Sequence, residues 1–336
     1  MLTEAKESPE AINRQLENNL ELFENLSQFL NQKNPYSTVS IARGSSDHAA
    51  QYLNFLITHK LGKLTTSFSM SAITLYEADL DVSKSAAFAI SQSGQSPDII
   101  NPINYFRSKH APTFALVNDA NSPLAKNSEW TIPLLAGPEL SVAATKSFIT
   151  SLSASALLVS HWKNDIELIR ALHHLPDDLQ KAQALDWSPA INKLINAKRI
   201  MVVGRGYGLS LALECALKFK ETCGIQAEAF SAAEIKHGPM ALVEPGYPIF
   251  IFATRGPALH TLLDLAEDLK NKGAEVILAA PSFVKEKDLE IQSTHAEELD
   301  IISSVQSFYI MAENLSRALG RNPDLPRNLN KVTKTK

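Results

Sequence analysis

The sequence predicts an α/β protein of two similar subdomains, each a mostly parallel sheet with helices on both faces. Three observations predict it. Short apolar runs alternate with helical stretches along the chain, the pattern of parallel strands joined by crossover helices. The order of the runs then repeats. Ile200-Met201-Val202-Val203 enters Gly204-Arg205-Gly206-Tyr207-Gly208 as residues 39–42 enter Arg43-Gly44-Ser45-Ser46. Residues 249–252 answer 86–90, and 276–279 answer 113–117, each at an offset of about 160 residues. Finally, 336 residues, 45% apolar and 20% charged, suit two cores of roughly 150 residues each.

In order, residues 9–32 form an amphipathic helix, with Ile12, Leu16, Leu20, Phe23, Leu26 and Leu30 on one stripe. Asn34-Pro35-Tyr36 breaks it. A strand over 38–42 leads through Arg43–Ser46 into a helix from Asp47 to about Leu61. A short strand follows at 65–69, then the 86–90 strand and a helix reaching about Ser108. Strands at 113–117 and 130–134 precede a long helix from near Thr145 to Trp162. In the second half, Leu259 to Lys272 answers the helix that begins after Ser96. The stretch 175–189, with Pro176, Asp177-Asp178 and Pro189, carries the crossing between the halves. The plan is an N-terminal helix (1–35), a first subdomain (36–175), a linker (176–190), a second subdomain (191–320) and a C-terminal tail (321–336).

A net charge of -4 gives no footprint for nucleic acid or an anionic membrane. Met1-Leu2-Thr3-Glu4-Ala5-Lys6-Glu7 has no signal-peptide core, and no run of 18 apolar residues suggests a membrane span. Two cysteines, Cys215 and Cys223, fit a reduced cytoplasmic protein. The nine histidines show no metal-ligand spacing. Neither a metal nor a cofactor is expected.

Ser91-Gln92-Ser93-Gly94-Gln95-Ser96 lies between the buried strand Ala86-Ala87-Phe88-Ala89-Ile90 and Pro97-Asp98-Ile99-Ile100. Ser96 suits a helix N-cap, Pro97 the first helical position and Asp98 the positive end of the dipole. Free N–H groups and hydroxyls at such a junction suit a phosphate. With no lysine and no Walker spacing, a small phosphorylated molecule fits better than a nucleoside triphosphate. An ordinary polar turn also fits these residues. Ligands of parallel sheets bind beyond the carboxyl ends of strands, so residues 43–46 and 91–96 can serve one pocket. The equivalent Ala253-Thr254-Arg255-Gly256-Pro257 lacks the serines, which assigns the phosphate to the first half.

Four stretches together carry a family resemblance: Gly44-Ser45-Ser46, Ser91-Gln92-Ser93-Gly94, Val142-Ala143-Ala144-Thr145-Lys146, and residues 228–239 with Ser231-Ala232-Ala233-Glu234-Ile235-Lys236-His237-Gly238-Pro239. They resemble the sugar isomerase (SIS) fold, and more closely the isomerase half of glucosamine-6-phosphate synthase and its stand-alone deaminase relatives. The tail Leu325-Pro326-Arg327-Asn328-Leu329-Asn330-Lys331 resembles the same enzymes' C-terminal loop. The chain begins Met1-Leu2-Thr3, without the amidotransferase domain that feeds ammonia to the synthase. A chain with this site and no ammonia source is expected to run towards ammonia release. The form of residues 141–146 also resembles the stand-alone deaminases. The activity implied is glucosamine-6-phosphate deaminase.

The resemblance implies phosphate contacts from Ser46, Ser91, Gln92, Ser93 and Ser96, with Gly44 and Ser45 in the same loops, and places Val142 and Thr145 near the sugar. Ala144 replaces a serine of the synthase, and Arg43 replaces a small residue, adding charge near the phosphate loop. Glu221 matches the base that moves a proton from C2 to C1; Lys218, one turn before it and so on the same side of the helix, is a cation placed to steady the developing charge. By pattern alone, Lys218-Phe219-Lys220-Glu221 also reads as a solvated helical face. His237 matches the ring-opening residue, which in the synthase reaches the neighbouring subunit; a homodimer with shared active sites is implied. A histidine beside a Gly-Pro turn is otherwise structural. Glu234 would orient the sugar or His237. Lys331 matches a lysine that forms a Schiff base with the ketose, and the tail would be a lid; a frayed basic tail is the plainer reading.

Other SIS activities remain open: a fructosamine-phosphate deglycase, a galactosamine-phosphate deaminase or an aldose–ketose isomerase. A non-catalytic sugar-phosphate sensor would be expected to carry a DNA-binding domain, and residues 1–35 are too short and acidic for one.

Overall fold

The computed structural model describes residues 1–331, which fall into two units. Among the described residues, the first holds Glu10–Glu139, Lys146–His173 and residues 330–331; the second holds Met1–Pro9, Leu140–Thr145 and His174–Leu329.

The chain opens with α1 (Leu2–Lys6), α2 (Ser8–Asn18) and α3 (Leu20–Lys33). The single helix expected over 9–32 is therefore two. Asn19 leaves helical geometry (φ -112, ψ 3) and its side chain donates to the Pro133 carbonyl at 2.8 Å, a local alternative to helix bonding that asparagine favours. There follow β1 (Ser37–Ile41), α4 (Ser45–Leu56) with a π-turn over Ile57–Leu61, β2 (Leu64–Ser67), α5 (Ser71–Thr74), β3 (Ser85–Ser91) and α6 (Pro97–Ser108). Next come β4 (Thr113–Val117), α7 (Pro123–Asn127), β5 (Trp130–Pro133) and α8 (Lys146–Lys163). The strands are all parallel, in the order β2-β1-β3-β4-β5. Central β3 is buried from Ala86 to Ser91, which is why it reads as an unbroken apolar run.

α8 is buried along most of its length and packs on α3 and α4. Buried hydroxyls would be costly there without partners. Ser151, Ser155 and Ser160 satisfy theirs by donating to carbonyls one turn back. Near its end, His161 stacks on Phe23 at 5.8 Å. Burial pushes its imidazole below the usual 6.5, helped by His173 and opposed by Glu24. The folded state thus favours the neutral ring, so its stability contribution is complete above about pH 6.5 and is lost as pH falls through the depressed value. Melting temperatures from pH 7.5 to 5 should fall less steeply in His161→Phe than in the wild type.

α9 (Ile166–Gln183) carries the chain onward. The stretch read as a linker is helical to Gln183, with Pro176 inside it. The buried face Leu172, Leu175, Leu179 and Ala182 offsets the hydrogen bond that proline removes. The second unit continues with α10 (Ser188–Leu194), β6 (Arg199–Gly204), α11 (Tyr207–Lys218) with a π-turn over Phe219–Cys223, and β7 (Gln226–Ser231). It ends with β8 (Pro248–Phe252), α12 (Leu259–Asn271), β9 (Glu275–Pro281), β10 (Leu289–Ile291) and α13 (Asp300–Ala318). The parallel order β10-β9-β8-β6-β7 repeats the first sheet read from its other edge.

The repeat reaches fine detail. α4 and α11 each start after a glycine with φ near +57 (Gly44 at 56, Gly206 at 58), and each π-turn closes on a left-handed glycine, Gly62 or Gly224. No described helix is long and apolar enough to cross a membrane. Both thiols are free and buried; burial pushes Cys215 well up and Cys223 up to about 11, so neither is a nucleophile near neutral pH.

Candidate active site

In the first unit β1 and β3 are neighbours, with Ile41 beside Ala89. The chain goes from β1 to β2 on one side and from β3 to β4 on the other. The strand order thus reverses between them, and the crevice beyond their carboxyl ends is where such sheets bind ligands. Both serine-bearing loops leave from this point. Gly44 caps α4, with Ser45 and Ser46 in its first turn; residues 91–96 join β3 to α6. Ser46, Gln92, Ser93 and Ser96 are half-buried.

The 91–96 loop is braced from within. Ser91 is buried and its Oγ accepts the Gly94 N–H at 3.1 Å, while Ser93 Oγ accepts the Gln95 N–H at 3.3 Å. The Gly94 carbonyl accepts the Leu124 N–H at 3.1 Å. Gly94 has φ +61, and a Cβ there would lie 2.2 Å from Ser122 Oγ and 2.9 Å from a Val117 methyl. Ser122 Oγ is held, because it accepts the Ala125 N–H at 3.3 Å to cap α7. Gly94→Ala is therefore expected to cost about 2–3 kcal/mol and to weaken sugar-phosphate binding about tenfold. Thermal melts with and without ligand check both.

Two details at this loop bear on its hydroxyls and its charge. Ser96 is the N-cap and Pro97 follows it, but the Ser96 hydroxyl makes no cap bond, so it is not spent on the helix. Arg43 does not present a free charge to the phosphate loop. Its guanidinium meets the buried Asp98 carboxylate, Nη2 at 3.3 Å and Nε at 3.4 Å, tying the β1 loop to α6.

In the second unit Lys218 is 1% exposed and reaches Glu221 Oε2 at 2.5 Å and Glu214 Oε1 at 3.5 Å. The Tyr309 hydroxyl of α13 donates to Glu214 Oε1 at 2.8 Å. The stretch is not a solvated face: one buried ammonium joins a buried carboxylate to Glu221, whose side chain keeps 19% exposure. A carboxylate placed so is desolvated yet reachable, as proton transfer at carbon requires. Sequence reading passed over Glu214 and Tyr309. The i,i+4 spacing of Glu214 to Lys218 was a usable signal; Tyr309, 95 residues away, left none.

Glu234 and His237 lie on an exposed turn beyond β7. Among the described residues no hydrogen bond or ion pair joins them to the Lys218–Glu221 pair. The second sheet stands between. Ile235, beside His237, packs with Met201, Ile249 and Ile251, whereas Phe219, beside Glu221, packs on Phe250 and Phe308. Side chains alternate along β8, so these are opposite faces. The second switch point is closed by its own pair: Arg255 meets the buried Asp300 carboxylate through two 2.7 Å bonds and donates to the Thr294 carbonyl at 2.7 Å.

Thr145 is buried and Val142 half-buried, in the segment before α8. Lys331 Nζ lies 3.2 Å from Glu139 Oε2. Glu139 is itself buried and accepts the Ser147 N–H at 3.1 Å and its hydroxyl at 2.6 Å. The tail beyond Lys331 lies outside the described residues. Among the described residues no group of three His, Cys, Asp or Glu side chains is placed to hold a metal ion.

The SIS domain family matches this chain at residues 31–161 and again at 193–314. A glutamine–fructose-6-phosphate aminotransferase (isomerizing) of Sulfurisphaera tokodaii is 32% identical over 338 residues, 99% of this chain and 56% of that protein. The enzyme of the same name from Sulfolobus acidocaldarius is 32% identical over 343 residues, with the same coverage. The chain thus spans little more than half the length of these relatives. Among solved structures, a candidate phosphosugar isomerase from Silicibacter pomeroyi DSS-3 superposes with a TM-score of 0.91 at 38% identity, covering 96% of this chain and 99% of that one. The C-terminal domain of glucosamine-fructose-6-phosphate aminotransferase from Francisella tularensis gives 0.87 at 25% identity, covering 97% and 98%. With two matched repeats on two parallel sheets of one strand order, the chain belongs to the SIS sugar-phosphate isomerase family and is related to the isomerase domain of the glutamine–fructose-6-phosphate aminotransferases.

Proposed function

We propose that the chain deaminates glucosamine-6-phosphate to fructose-6-phosphate and ammonia. The observation that carries the reading is the Lys218–Glu221 pair, a desolvated cation against a reachable carboxylate. The phosphate is held by Ser46, Ser91, Gln92, Ser93 and Ser96, whose hydroxyls, the Gln92 amide and neighbouring N–H groups form an anion cradle. His237 moves the proton that opens the ring. Glu221 then removes the C2 proton and returns it to C1, while Lys218 steadies the enaminol charge. The C2 imine that results takes up water and loses ammonia, so one amino-aldose phosphate and one water give one ketose phosphate and one ammonia. Lys331 engages the open-chain sugar, and Val142 and Thr145 border it. Because the second sheet separates Glu221 from His237, the reading includes a homodimer in which each site takes His237, with Glu234 beside it, from the partner.

The test is ammonia release from purified protein given glucosamine-6-phosphate, with fructose-6-phosphate measured alongside. Equal yields support deamination; a folded protein that binds the sugar phosphate yet releases no ammonia sinks it. The Silicibacter pomeroyi structure favours a second reading, aldose–ketose isomerisation of a sugar phosphate, which would interconvert the sugars without ammonia.

A further inference from the structure

Residues 140–145 carry Val142 and Thr145 and are held by α1 and by the tail within the second unit. Glu4 of α1 accepts the Leu140 and Ser141 N–H groups at 2.5 and 3.1 Å. From the tail, Asp324 Oδ1 accepts the Ser141 hydroxyl at 2.6 Å, and the Asp324 carbonyl accepts the Val142 N–H at 3.2 Å. The Met1 ammonium also reaches Ser141 Oγ and Asp324 Oδ1. Asp324 Oδ2 takes Arg317 Nη2 at 3.2 Å, and Arg317 is tied to Glu313 on α13 at 3.0 Å. Farther along the same tail, Lys331 meets Glu139, the residue just before the loop.

We propose that Asp324 is a positioning residue: through Ser141 it latches the tail to the 140–145 loop, so that the loop and the lysine-bearing tail are set together before substrate arrives. The proposal rests on the reading of Val142, Thr145 and Lys331 as sugar-facing. The tail has little core of its own, with Leu325 71% and Leu329 45% exposed, so polar anchors decide its place. Ser141 is buried, and a buried hydroxyl takes a partner wherever one is offered. Asp324 supplies one from the α13 side, where Arg317 fixes its second oxygen, and the Glu4 carboxylate faces the same side chain.

The experiment is hydrogen exchange on the unliganded full chain, comparing wild type, Ser141→Ala, Asp324→Ala, the double variant and Asp324→Asn. Exchange across 140–145 and 322–331 should rise about tenfold in each single variant and no further in the double. Asp324→Asn keeps an acceptor for Ser141 and should recover part of the protection. On glucosamine-6-phosphate, kcat/KM should fall about tenfold in both alanine variants, with melting temperatures within about 2 °C of wild type. Unchanged exchange in Asp324→Ala, or simple addition of the two single effects, overturns the latch. A wild type that turns over no amino-sugar phosphate overturns the functional reading instead, and the exchange data still decide the latch.

Discussion

Glu221→Gln should lower kcat for ammonia release by about 10²- to 10⁴-fold while leaving KM within a few-fold of wild type. The amide keeps the shape of the side chain and an oxygen for Lys218 Nζ, now 2.5 Å from Glu221 Oε2, but it cannot take the C2 proton. Lys218 also keeps Glu214 at 3.5 Å, so the variant should melt close to wild type. Solvent-deuterium washout at C2 isolates the step: it should fail in the variant even where the open-chain sugar still binds. Washout at the wild-type rate would show that another group removes the proton.

The second large effect falls on stability. Lys218→Met takes the ammonium from between Glu214, fully buried, and Glu221. Tyr309 still donates to Glu214, but neutral donors do not balance a buried carboxylate. Losing one partner of such a pair costs about 3–5 kcal/mol, to be read from the denaturant midpoint at constant slope. Adding Glu214→Gln should return a large part of that loss, because the buried charge is then gone. Activity should not return with it, since Glu221 still lacks its cation. A double variant no more stable than Lys218→Met would place the cost in lost packing of the lysine stem.

What could be read in the sequence was whatever lies in local pattern. β3, β4, β6, β8 and β9 are largely apolar runs buried on both faces, β1 (Ser-Thr-Val-Ser-Ile) is a buried strand with alternating polar residues, and three matched pairs were enough to reveal the repeat. β7, Gln-Ala-Glu-Ala-Phe-Ser at a sheet edge, and three-residue β10 carry too little apolar signal. Asn19 and Pro176 misled for opposite reasons. The first breaks a periodic helix to reach Pro133, and the second sits inside a helix that its buried face preserves.

The site divides in the same way. The proposed phosphate cradle follows the rule for parallel sheets, because its loops leave where strand order reverses. Glu221 defies that rule. α11 leads away from the carboxyl end of β6 and returns to the start of β7, so Glu221 stands at the amino end of its sheet, about 18 Å of helix from the switch point. The burial of Lys218 depends on α13, far away in the chain, and the Arg43–Asp98 pair joins a loop to the start of a helix 55 residues on. No window of sequence contains either.

The sheet that separates Glu221 from His237 has a genetic corollary if sites are shared. Two dead alleles, Glu221→Gln and His237→Ala, would complement each other. In a mixed dimer one site inherits both lesions and its twin inherits neither. Random pairing of equal amounts makes half the dimers mixed, each with one intact site, and so restores about a quarter of wild-type activity from two inactive parents.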